Sequence, residues 1–213
     1  MRYPSELVIG FLAHNLSGPG RVLDMGCGSG RHAILAAEFG HESYGLDIAD
    51  GGFSFCQNQA SQKNVNINLK IASMEDTNYN GSYFDAVICY NSINANPLTS
   101  QKYIINEIYR ILKPGGILLI NFYGEKDWSA SHCKSYGREV EQDTYLVSGD
   151  IFHQNDKNNM PDYLFHISNE NEIISLFSSF TKVRTFDIYL PYGNASLSEN
   201  YKPSHLIYTI VKK

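Results

Sequence analysis

The sequence predicts an α/β fold in which helices cover both faces of a mostly parallel sheet, and two observations carry this prediction. Short apolar strands alternate with amphipathic helical stretches over the first 122 residues, which is the pattern of α/β proteins. Residues 84–90 (FDAVICY) are almost continuously apolar, as expected of a strand that is buried on both faces. The 213 residues suit one domain with a substantial core.

The most informative stretch runs from residue 21 to residue 47. A short apolar strand ends in Asp24, a glycine-rich turn and an amphipathic helix follow, and a second strand leads to Asp47. Closely spaced glycines let the backbone turn sharply and let a ligand approach it, and the free N–H groups of the new helix face the same crevice. Asp47 is placed to accept hydrogen bonds from the hydroxyls of a ribose. These features predict a pocket for an adenosine-type cofactor. The turn contains Gly26, Cys27, Gly28, Ser29 and Gly30.

The glycine spacing separates two kinds of cofactor. Dinucleotide-binding proteins use G-x-G-x-x-G, whose third glycine permits close helix packing beside a pyrophosphate. Here the spacing is G-x-G-x-G, the next position is Arg31, and Asp24 precedes the first glycine by two residues. An acid in that place fits a cationic amine better than a phosphate. A nicotinamide-dependent oxidoreductase is therefore the disfavoured alternative.

Three segments resemble the class I S-adenosylmethionine-dependent methyltransferases, of the small-molecule type known as methyltransferase 11/25. VLDMGCGSGRHA resembles their first motif, YGLD resembles their second, and RILKPGGILLI resembles the turn before their fifth strand. The resemblance implies a Rossmann-like three-layer sandwich with a seven-stranded, mostly parallel sheet. Its implied strand order is 3-2-1-4-5-7-6, with the last strand antiparallel. It also implies one methyltransferase domain over residues 1–213.

The resemblance further implies S-adenosylmethionine as cofactor and S-adenosylhomocysteine as product. The glycine loop would cradle the methionine part and Asp47 would hold the ribose. Ile48 would project towards the adenine ring, and Ser73 to Glu75 occupy the region near the adenine amino group. No metal is required. The implied cofactor-binding residues are Asp24, Gly26, Cys27, Gly28, Gly30, Asp47, Ile48, Ser73, Met74, Glu75, Tyr90 and Asn91.

Residues 124–166 form a long connection that predicts a substrate-binding insertion, because long connections in compact domains are often functional. Residues 144–148 and 163–167 are expected to be short strands, and no sustained helical periodicity is visible. His166 and Glu139 are the candidate catalytic residues, since a histidine base suits proton removal near neutral pH. A structural histidine and a solvated glutamate are the alternative interpretation.

The net charge and the segment after the fourth strand indicate which class of acceptor the chain binds. The formal net charge is −5 and no dense Lys/Arg run is present, which argues against nucleic acid. The segment CYNSI after the fourth strand lacks the D/N-P-P-Y loop typical of base-methylating enzymes. The predicted acceptor is therefore a small molecule.

The compartment follows from the cysteines and from hydropathy. The four cysteines are scattered without metal-ligand spacing, which indicates a reducing cytoplasm. No apolar run approaches the roughly 20 residues that span a bilayer, and the N-terminus lacks the pattern of a signal peptide. The sequence leaves open the acceptor atom, the choice between monomer and homodimer, and a non-catalytic cofactor-binding scaffold as a third interpretation.

Overall fold

The computed structural model describes residues 3–148, 161–189 and 203–211. The helices are α1 (Glu6–Asn15), α2 (Arg31–Glu38), α3 (Phe53–Gln62), α4 (Leu98–Ile111), α5 (Trp128–Tyr136), α6 (Glu170–Leu176) and the 3₁₀ helix η1 (Ile93–Ala95). The strands are β1 (Arg21–Met25), β2 (Glu42–Asp47), β3 (Ile67–Ile71), β4 (Phe84–Cys89), β5 (Leu112–Phe122), β6 (Arg138–Glu141), β7 (Thr144–Val147), β8 (Tyr163–His166), β9 (Lys182–Tyr189) and β10 (Pro203–Ile210). None of the helices in these ranges is long and apolar enough to cross a bilayer.

Seven strands form the central sheet in the order β3-β2-β1-β4-β5-β10-β9. The pairs from β3 to β5 are parallel, and β10 is antiparallel to both β5 and β9. When only the strands of this sheet are counted, the order is 3-2-1-4-5-7-6, so the predicted fold class and strand order are confirmed. This order makes β1 and β4 neighbours, and their carboxyl ends form the switch point where α/β sheets bind ligands.

Helices cover both faces of the sheet and give three layers. One core holds residues of α4 and α6 and the other holds residues of α1 and α2. Strand β4 contributes to both cores, since Val87 and Cys89 belong to the first while Ala86 and Ile88 belong to the second. Its apolar sequence follows from this burial on both sides.

The insertion after β5 contains a helix that the sequence analysis did not predict. The carboxylate of Asp127 accepts a hydrogen bond from Ser129 N at 2.7 Å, which caps α5. The helix buries Ala130 and Cys133, which are one turn apart. Because both side chains are small, the apolar periodicity of this helix is weak in the sequence. The two strands expected nearby, at 144–148 and 163–167, are confirmed as β7 and β8.

The described residues of the insertion, 124–148 and 161–166, include a second sheet with a small core. Strands β6, β7 and β8 form an antiparallel sheet with a small core of its own. Ser168 N donates to Tyr123 O at 2.9 Å, and Gly124 pairs with Ser168. Strand β8 also lies beside η1, which follows β4. The insertion is therefore held next to the ends of β4 and β5.

Candidate functional site

The glycine loop between β1 and α2 is held in a backbone conformation that favours glycine. Gly26, Gly28 and Gly30 have φ values of 75°, 52° and 76°, in the left-handed region where other residues are strained. Gly26 N and Cys27 N both donate to Leu46 O, at 2.7 and 3.0 Å. These bonds fix the loop against the end of β2.

Added Cβ atoms would have different consequences at different positions of the loop. A Cβ on Gly30 would lie 2.1 Å from Cys56 Sγ, and one on Gly26 would lie 2.5 Å from Ser92 Cβ. A Cβ on Gly52 would lie 2.3 Å from Gly28 O. A Cβ on Gly28, in contrast, meets no heavy atom within 4 Å. The protein packs against the loop at Gly26 and Gly30, and the loop is open at Gly28.

Asp47 lies directly beside the open part of the loop. Its Oδ2 accepts a hydrogen bond from Gly28 N at 2.8 Å, and its Oδ1 accepts one from Ala49 N at 3.2 Å. The side chain is half-buried, and the neighbouring Ile48 is 76% exposed. A carboxylate and an exposed apolar side chain therefore stand together at the mouth of the loop.

Asp24 is buried beneath the loop at the start of α2. Its Oδ2 accepts a hydrogen bond from Ala33 N at 3.2 Å, which satisfies one of the free N–H groups of the first helical turn. His32 Nδ1 lies 3.8 Å from Asp24 Oδ1, while His32 Nε2 accepts from Ser5 N at 3.3 Å. Because Nε2 accepts, the ring proton is assigned to Nδ1, on the side of the carboxylate. Asp24 thus holds the loop–helix junction.

His32 also connects the N-terminal segment and Tyr90 to this junction. Arg31 Nη1 donates to Tyr3 O at 3.2 Å, beside the bond from Ser5 N to His32. The rings of His32 and Tyr90 pack edge to face with centroids 5.6 Å apart. Tyr90 is 8% exposed, so its ring belongs to the core under α1 and α2.

The segment after β3 reaches the loop from the other side. Ala72 N donates to Asp47 O at 3.0 Å, and Ser73 Oγ accepts from Glu75 N at 3.1 Å. Met74 Sδ lies 3.6 Å from the position of a Cβ on Gly26. Glu75 is exposed. This segment therefore lies beside the glycine loop and the end of β2.

Three side chains at the ends of β4 and β5 form a hydrogen-bonded group. Asn91 N donates to Asn121 Oδ1 at 2.7 Å, and Asn121 Nδ2 donates to Asn91 Oδ1 at 2.8 Å. Tyr123 OH donates to the same Asn91 Oδ1 at 3.0 Å. Asn121 and Tyr123 are buried while Asn91 is half-buried. We call Asn91, Asn121 and Tyr123 the amide cluster.

The two candidate catalytic residues lie in different surroundings. His166 is fully buried in β8, with Nδ1 2.8 Å from Thr144 Oγ1 and Nε2 3.5 Å from Glu172 Oε2. Burial lowers the pKa of His166, and the carboxylate of Glu172 offsets part of this effect. Glu139 is exposed in β6, and its Oε1 accepts from Asp143 N at 3.0 Å. These contacts are typical of structural residues, and a catalytic role for either residue stays a prediction.

Cys27 has the surroundings of a packing group. Its Sγ lies 3.0 Å from the position of a Cβ on Gly45, so the thiol fills the space that the strand glycine leaves. Burial raises the pKa of the Cys27 thiol, and the carboxylates of Asp24 and Asp47 raise it further. The thiol is therefore protonated near neutral pH and is a poor nucleophile. In the described ranges no group of three or more His, Cys, Asp or Glu side chains is placed to hold a metal ion.

The structure adds three residues that the sequence analysis did not assign to the site. Gly52 permits α3 to approach the glycine loop, and the pair Gly51-Gly52 was a visible signal for such an approach. Asn121 is a polar residue near the end of an otherwise apolar strand, which is a second signal that could have been used. His32 has no such signal, because its role depends on the position of the N-terminal segment.

Known methyltransferases resemble part of this chain in sequence and nearly all of it in fold. The model of a methyltransferase domain matches residues 22–116. YqeM of Bacillus subtilis, which carries the name of a methyltransferase, is 35% identical over 107 residues, which is 49% of this chain and 42% of that protein. The ubiquinone biosynthesis O-methyltransferase of Coxiella burnetii is 28% identical over 100 residues, 47% of this chain and 42% of that enzyme. The matched region thus spans less than half the length of these curated relatives.

Solved structures match over nearly the whole chain. An S-adenosylmethionine-dependent methyltransferase from Methanosarcina mazei superposes with a TM-score of 0.75 at 18% identity, covering 99% of both chains. The 1,6-didemethyltoxoflavin-N1-methyltransferase of Burkholderia thailandensis, solved with bound 1,6-didemethyltoxoflavin and S-adenosylhomocysteine, superposes with a TM-score of 0.66 at 16% identity. The superposition covers 98% of this chain and 78% of that enzyme. At these identities the likeness establishes the fold.

Proposed function

We propose that the chain transfers the methyl group of S-adenosylmethionine to a small-molecule acceptor, releasing S-adenosylhomocysteine. The match of a methyltransferase-domain model to residues 22–116 supports this proposal. One observation carries the proposal. The glycine loop is open at Gly28, where an added Cβ would meet nothing, and the carboxylate of Asp47 stands against that opening at 2.8 Å from Gly28 N. The family match extends over both residues.

The residues around the loop fit this cofactor. The open backbone at Gly28 leaves room for a ligand that approaches closely. Helix α2 begins at Arg31, immediately after the loop. Asp47 offers oxygen atoms to ribose hydroxyls, and the exposed side chain of Ile48 offers an apolar surface to adenine. The cofactor-holding set that we propose is Asp24, Gly26, Cys27, Gly28, Gly30, Asp47, Ile48, Ser73, Met74, Glu75, Tyr90 and Asn91.

Members of this set act in different ways. Asp24 and the ring of Tyr90 are buried, so they support the loop–helix junction beneath the cofactor. Cys27 fills space behind the loop. Met74 approaches Gly26 closely enough to line the pocket wall. Direct contact with the cofactor is thus assigned to the loop backbone and to Asp47 and Ile48.

Chemistry at the site follows from the cofactor and from alignment by the chain. When bound, S-adenosylmethionine supplies a methyl group on a positively charged sulfur, and the carbon–sulfur bond electrons stay on sulfur as the acceptor lone pair takes the methyl carbon. The chain contributes orientation and exclusion of water, and correct alignment alone accounts for a large part of such a rate. The acceptor proton leaves to solvent or to a base.

His166 and Glu139 remain the candidate bases, and their positions set a clear test. Base catalysis by His166 needs access to its buried ring, which Thr144 and Glu172 now contact. We expect the His166→Ala and Glu139→Ala double variant to keep its single-turnover rate if alignment suffices. A loss of about a hundredfold or more, in the range of general-base catalysis, would establish a base.

The acceptor is proposed to be a small molecule bound between the loop and the insertion at residues 124–166. The insertion is held beside the ends of β4 and β5. The names of the O-methyltransferase of ubiquinone biosynthesis and of the didemethyltoxoflavin N1-methyltransferase both refer to small-molecule chemistry. We propose a cytoplasmic enzyme without a nucleic-acid substrate, in keeping with the net charge of −5.

The experiment for this function is transfer of a labelled methyl group from S-adenosylmethionine to a library of small aromatic, amine and thiol acceptors. Appearance of label in an acceptor, together with S-adenosylhomocysteine, is the expected result. Tight cofactor binding without turnover of any member of the library would favour a cofactor-binding scaffold instead. Gly28→Ala is the matched inactive variant, because its added Cβ enters the opening of the loop.

A further inference from the structure

The orientation of the amide cluster is fixed by a single backbone group. Asn91 N is a main-chain donor and cannot accept, so the side-chain atom of Asn121 that it contacts at 2.7 Å is the oxygen. The other end of that side chain, Nδ2, is then the donor at 2.8 Å from Asn91. The contacted atom of Asn91 is therefore its oxygen, and both amide orientations follow.

Tyr123 completes the fixation of Asn91. Its hydroxyl lies 3.0 Å from Asn91 Oδ1, which already accepts from Asn121. A carbonyl oxygen has two lone pairs, so these two donors occupy Asn91 Oδ1 fully. The amide of Asn91 cannot flip without breaking both bonds.

The consequence is a single donor on the open side of the cluster. Within the described residues no atom accepts a hydrogen bond from Asn91 Nδ2. Asn121 and Tyr123 are 2% and 8% exposed, whereas Asn91 is half-buried. The buried pair thus supports one outward amide N–H₂ group, held by Asn91 at a φ of 60°, which is unusual for a residue other than glycine.

The position of this donor is between the two parts of the proposed site. The next residue, Ser92, contacts the glycine loop, since a Cβ on Gly26 would lie 2.5 Å from it. On the other side Tyr123 O accepts from Ser168 N of the insertion. Asn91 therefore stands at the junction of the cofactor loop and the insertion.

We propose that Asn91 Nδ2 orients the methyl acceptor by donating a hydrogen bond to a neutral oxygen adjacent to the methylated atom. Asn121 and Tyr123 are positioning residues that hold the Asn91 amide in the donating orientation. The cluster contains no charged side chain, so the group it recognises is a carbonyl, ether or hydroxyl oxygen. This inference rests on the proposed methyl transfer and names the class of acceptor. The proposed donor is the side chain of Asn91, and its place in the proposed cofactor-holding set rests on its backbone.

The probes are positional isomers that differ only in where an accepting oxygen stands. We would compare 2-methoxyphenol with 4-methoxyphenol, 2-methoxyaniline with 4-methoxyaniline, and 2-methoxythiophenol with 4-methoxythiophenol. A methoxy oxygen accepts hydrogen bonds and donates none, and each pair keeps its nucleophile. With labelled S-adenosylmethionine, the wild-type protein is expected to prefer the 2-methoxy isomer of at least one pair by about tenfold, the worth of one hydrogen bond.

Asn91→Asp is the decisive variant. It keeps Oδ1 for Asn121 and Tyr123 and replaces only the outward N–H₂ with an oxygen. The preference for the 2-methoxy isomer is expected to disappear, and the affinity for S-adenosylhomocysteine is measured in the same variant. An unchanged isomer preference would overturn the inference, and so would a weakened affinity for S-adenosylhomocysteine, because Asn91 Nδ2 would then serve the cofactor.

Two further variants separate the effect of the Asn91 amide orientation from a nonspecific loss of activity. In Asn121→Asp the backbone bond is kept, but an oxygen now faces Asn91 Oδ1, so the Asn91 amide is expected to flip and the isomer preference to fall as in Asn91→Asp. Tyr103→Phe removes a hydroxyl from a side chain that is 60% exposed on α4 and is the control without effect. If Asn121→Asp kept the wild-type preference, the orientation argument would be wrong.

The experiments distinguish failure of the proposed methyl transfer from failure of the proposed acceptor class. Absence of binding by S-adenosylmethionine and S-adenosylhomocysteine would reject the proposed function itself. Cofactor binding and turnover of other acceptors, with no 2-methoxy isomer preferred, would leave methyl transfer standing and overturn the acceptor class alone.

Discussion

The glycine-loop region and the insertion serve the same proposed site, but they are held together by different kinds of interaction. At the loop, positive φ values and backbone hydrogen bonds to Leu46 O fix the chain. In the insertion, strand β6 is exposed along its length and a small core is supplemented by the polar contacts of His166. Under the proposed function, the loop backbone and Asp47 recognise the cofactor, and side chains near the insertion recognise the acceptor.

The largest effect should come from placing a side chain inside the loop. Gly30→Ala puts a Cβ 2.1 Å from Cys56 Sγ at a φ of 76°. The left-handed conformation alone costs about 1–2 kcal/mol, and the clash adds to it. We expect a loss of about 3 kcal/mol or more in the free energy of unfolding, in the range of severe core substitutions, measured by urea denaturation.

Two other glycines act as matched controls for this substitution. Gly28→Ala has similar strain and no clash, so it should lose only about 1–2 kcal/mol while abolishing cofactor binding. Gly10→Ala, in helix α1 with nothing near its Cβ, should stabilise the protein by up to about 1 kcal/mol. Equal losses for Gly30→Ala and Gly28→Ala would show that the packing of Cys56 against the loop has no effect.

The second prediction concerns acid sensitivity, which should be concentrated in the insertion. Burial lowers the pKa of His166, so the unfolded state binds its proton more readily than the folded state. The free energy of unfolding is therefore constant above about pH 6.5, the pKa of histidine in the unfolded chain. It falls as the pH drops from there towards the lower pKa of the folded state. Glu172 faces the ring and Asp143 and Glu141 act at longer range, and these carboxylates only partly offset burial.

Hydrogen exchange can locate this effect. Between pH 7.5 and 5.5, protection factors of the amides in β7 and β8 should fall in the wild-type protein and change much less in His166→Gln. Burial also lowers the pKa of His41, whose Nδ1 accepts from Gly20 N in the other region. His41→Gln is therefore the control, and it should leave the exchange of β7 and β8 as in wild type. A pH-independent exchange of these strands in the wild-type protein would contradict the assignment.

Much of the geometry of the glycine loop could be predicted from the sequence, and the reason is physical. The spacing of Gly26, Gly28 and Gly30 and the place of Asp47 reflect backbone geometry that few other residues satisfy. The strand order was implied by the resemblance to class I methyltransferases, and the structure confirms it. Short sequence motifs were thus sufficient to predict the structure where the backbone conformation itself requires particular residues.

The acceptor side was less predictable because its contacts are long-range. Helix α5 was missed since its buried residues, Ala130 and Cys133, are small. The chemistry of histidine makes His166 a candidate base, whereas its burial against Thr144 and Glu172 depends on the fold. The role of Asn121 depends on Asn91, 30 residues earlier, and no local pattern reports such a pair.

The smallest expected effect compares the cysteines of the two regions. Burial raises the pKa of Cys56 to about 11 and those of Cys89 and Cys133 to about 12, so all three should react slowly with iodoacetamide at pH 8. Cys133 lies in the small core of the insertion, which should open more often than the main core. We expect it to be alkylated first, by a factor on the order of ten, as followed by peptide mass spectrometry. Faster alkylation of Cys89 than of Cys133 would contradict this prediction, because it would show that the main core opens more often than the small core of the insertion.

The most direct test of the cofactor assignment is calorimetric titration of the wild-type protein and of Asp47→Ala with S-adenosylmethionine, S-adenosylhomocysteine and NAD. Loss of a charge-assisted hydrogen bond is worth about 1.5–3 kcal/mol, so both sulfur compounds should bind wild type and bind Asp47→Ala about tenfold to a hundredfold more weakly, with no binding of NAD. Binding of NAD without either sulfur compound would contradict a methyltransferase and favour an oxidoreductase.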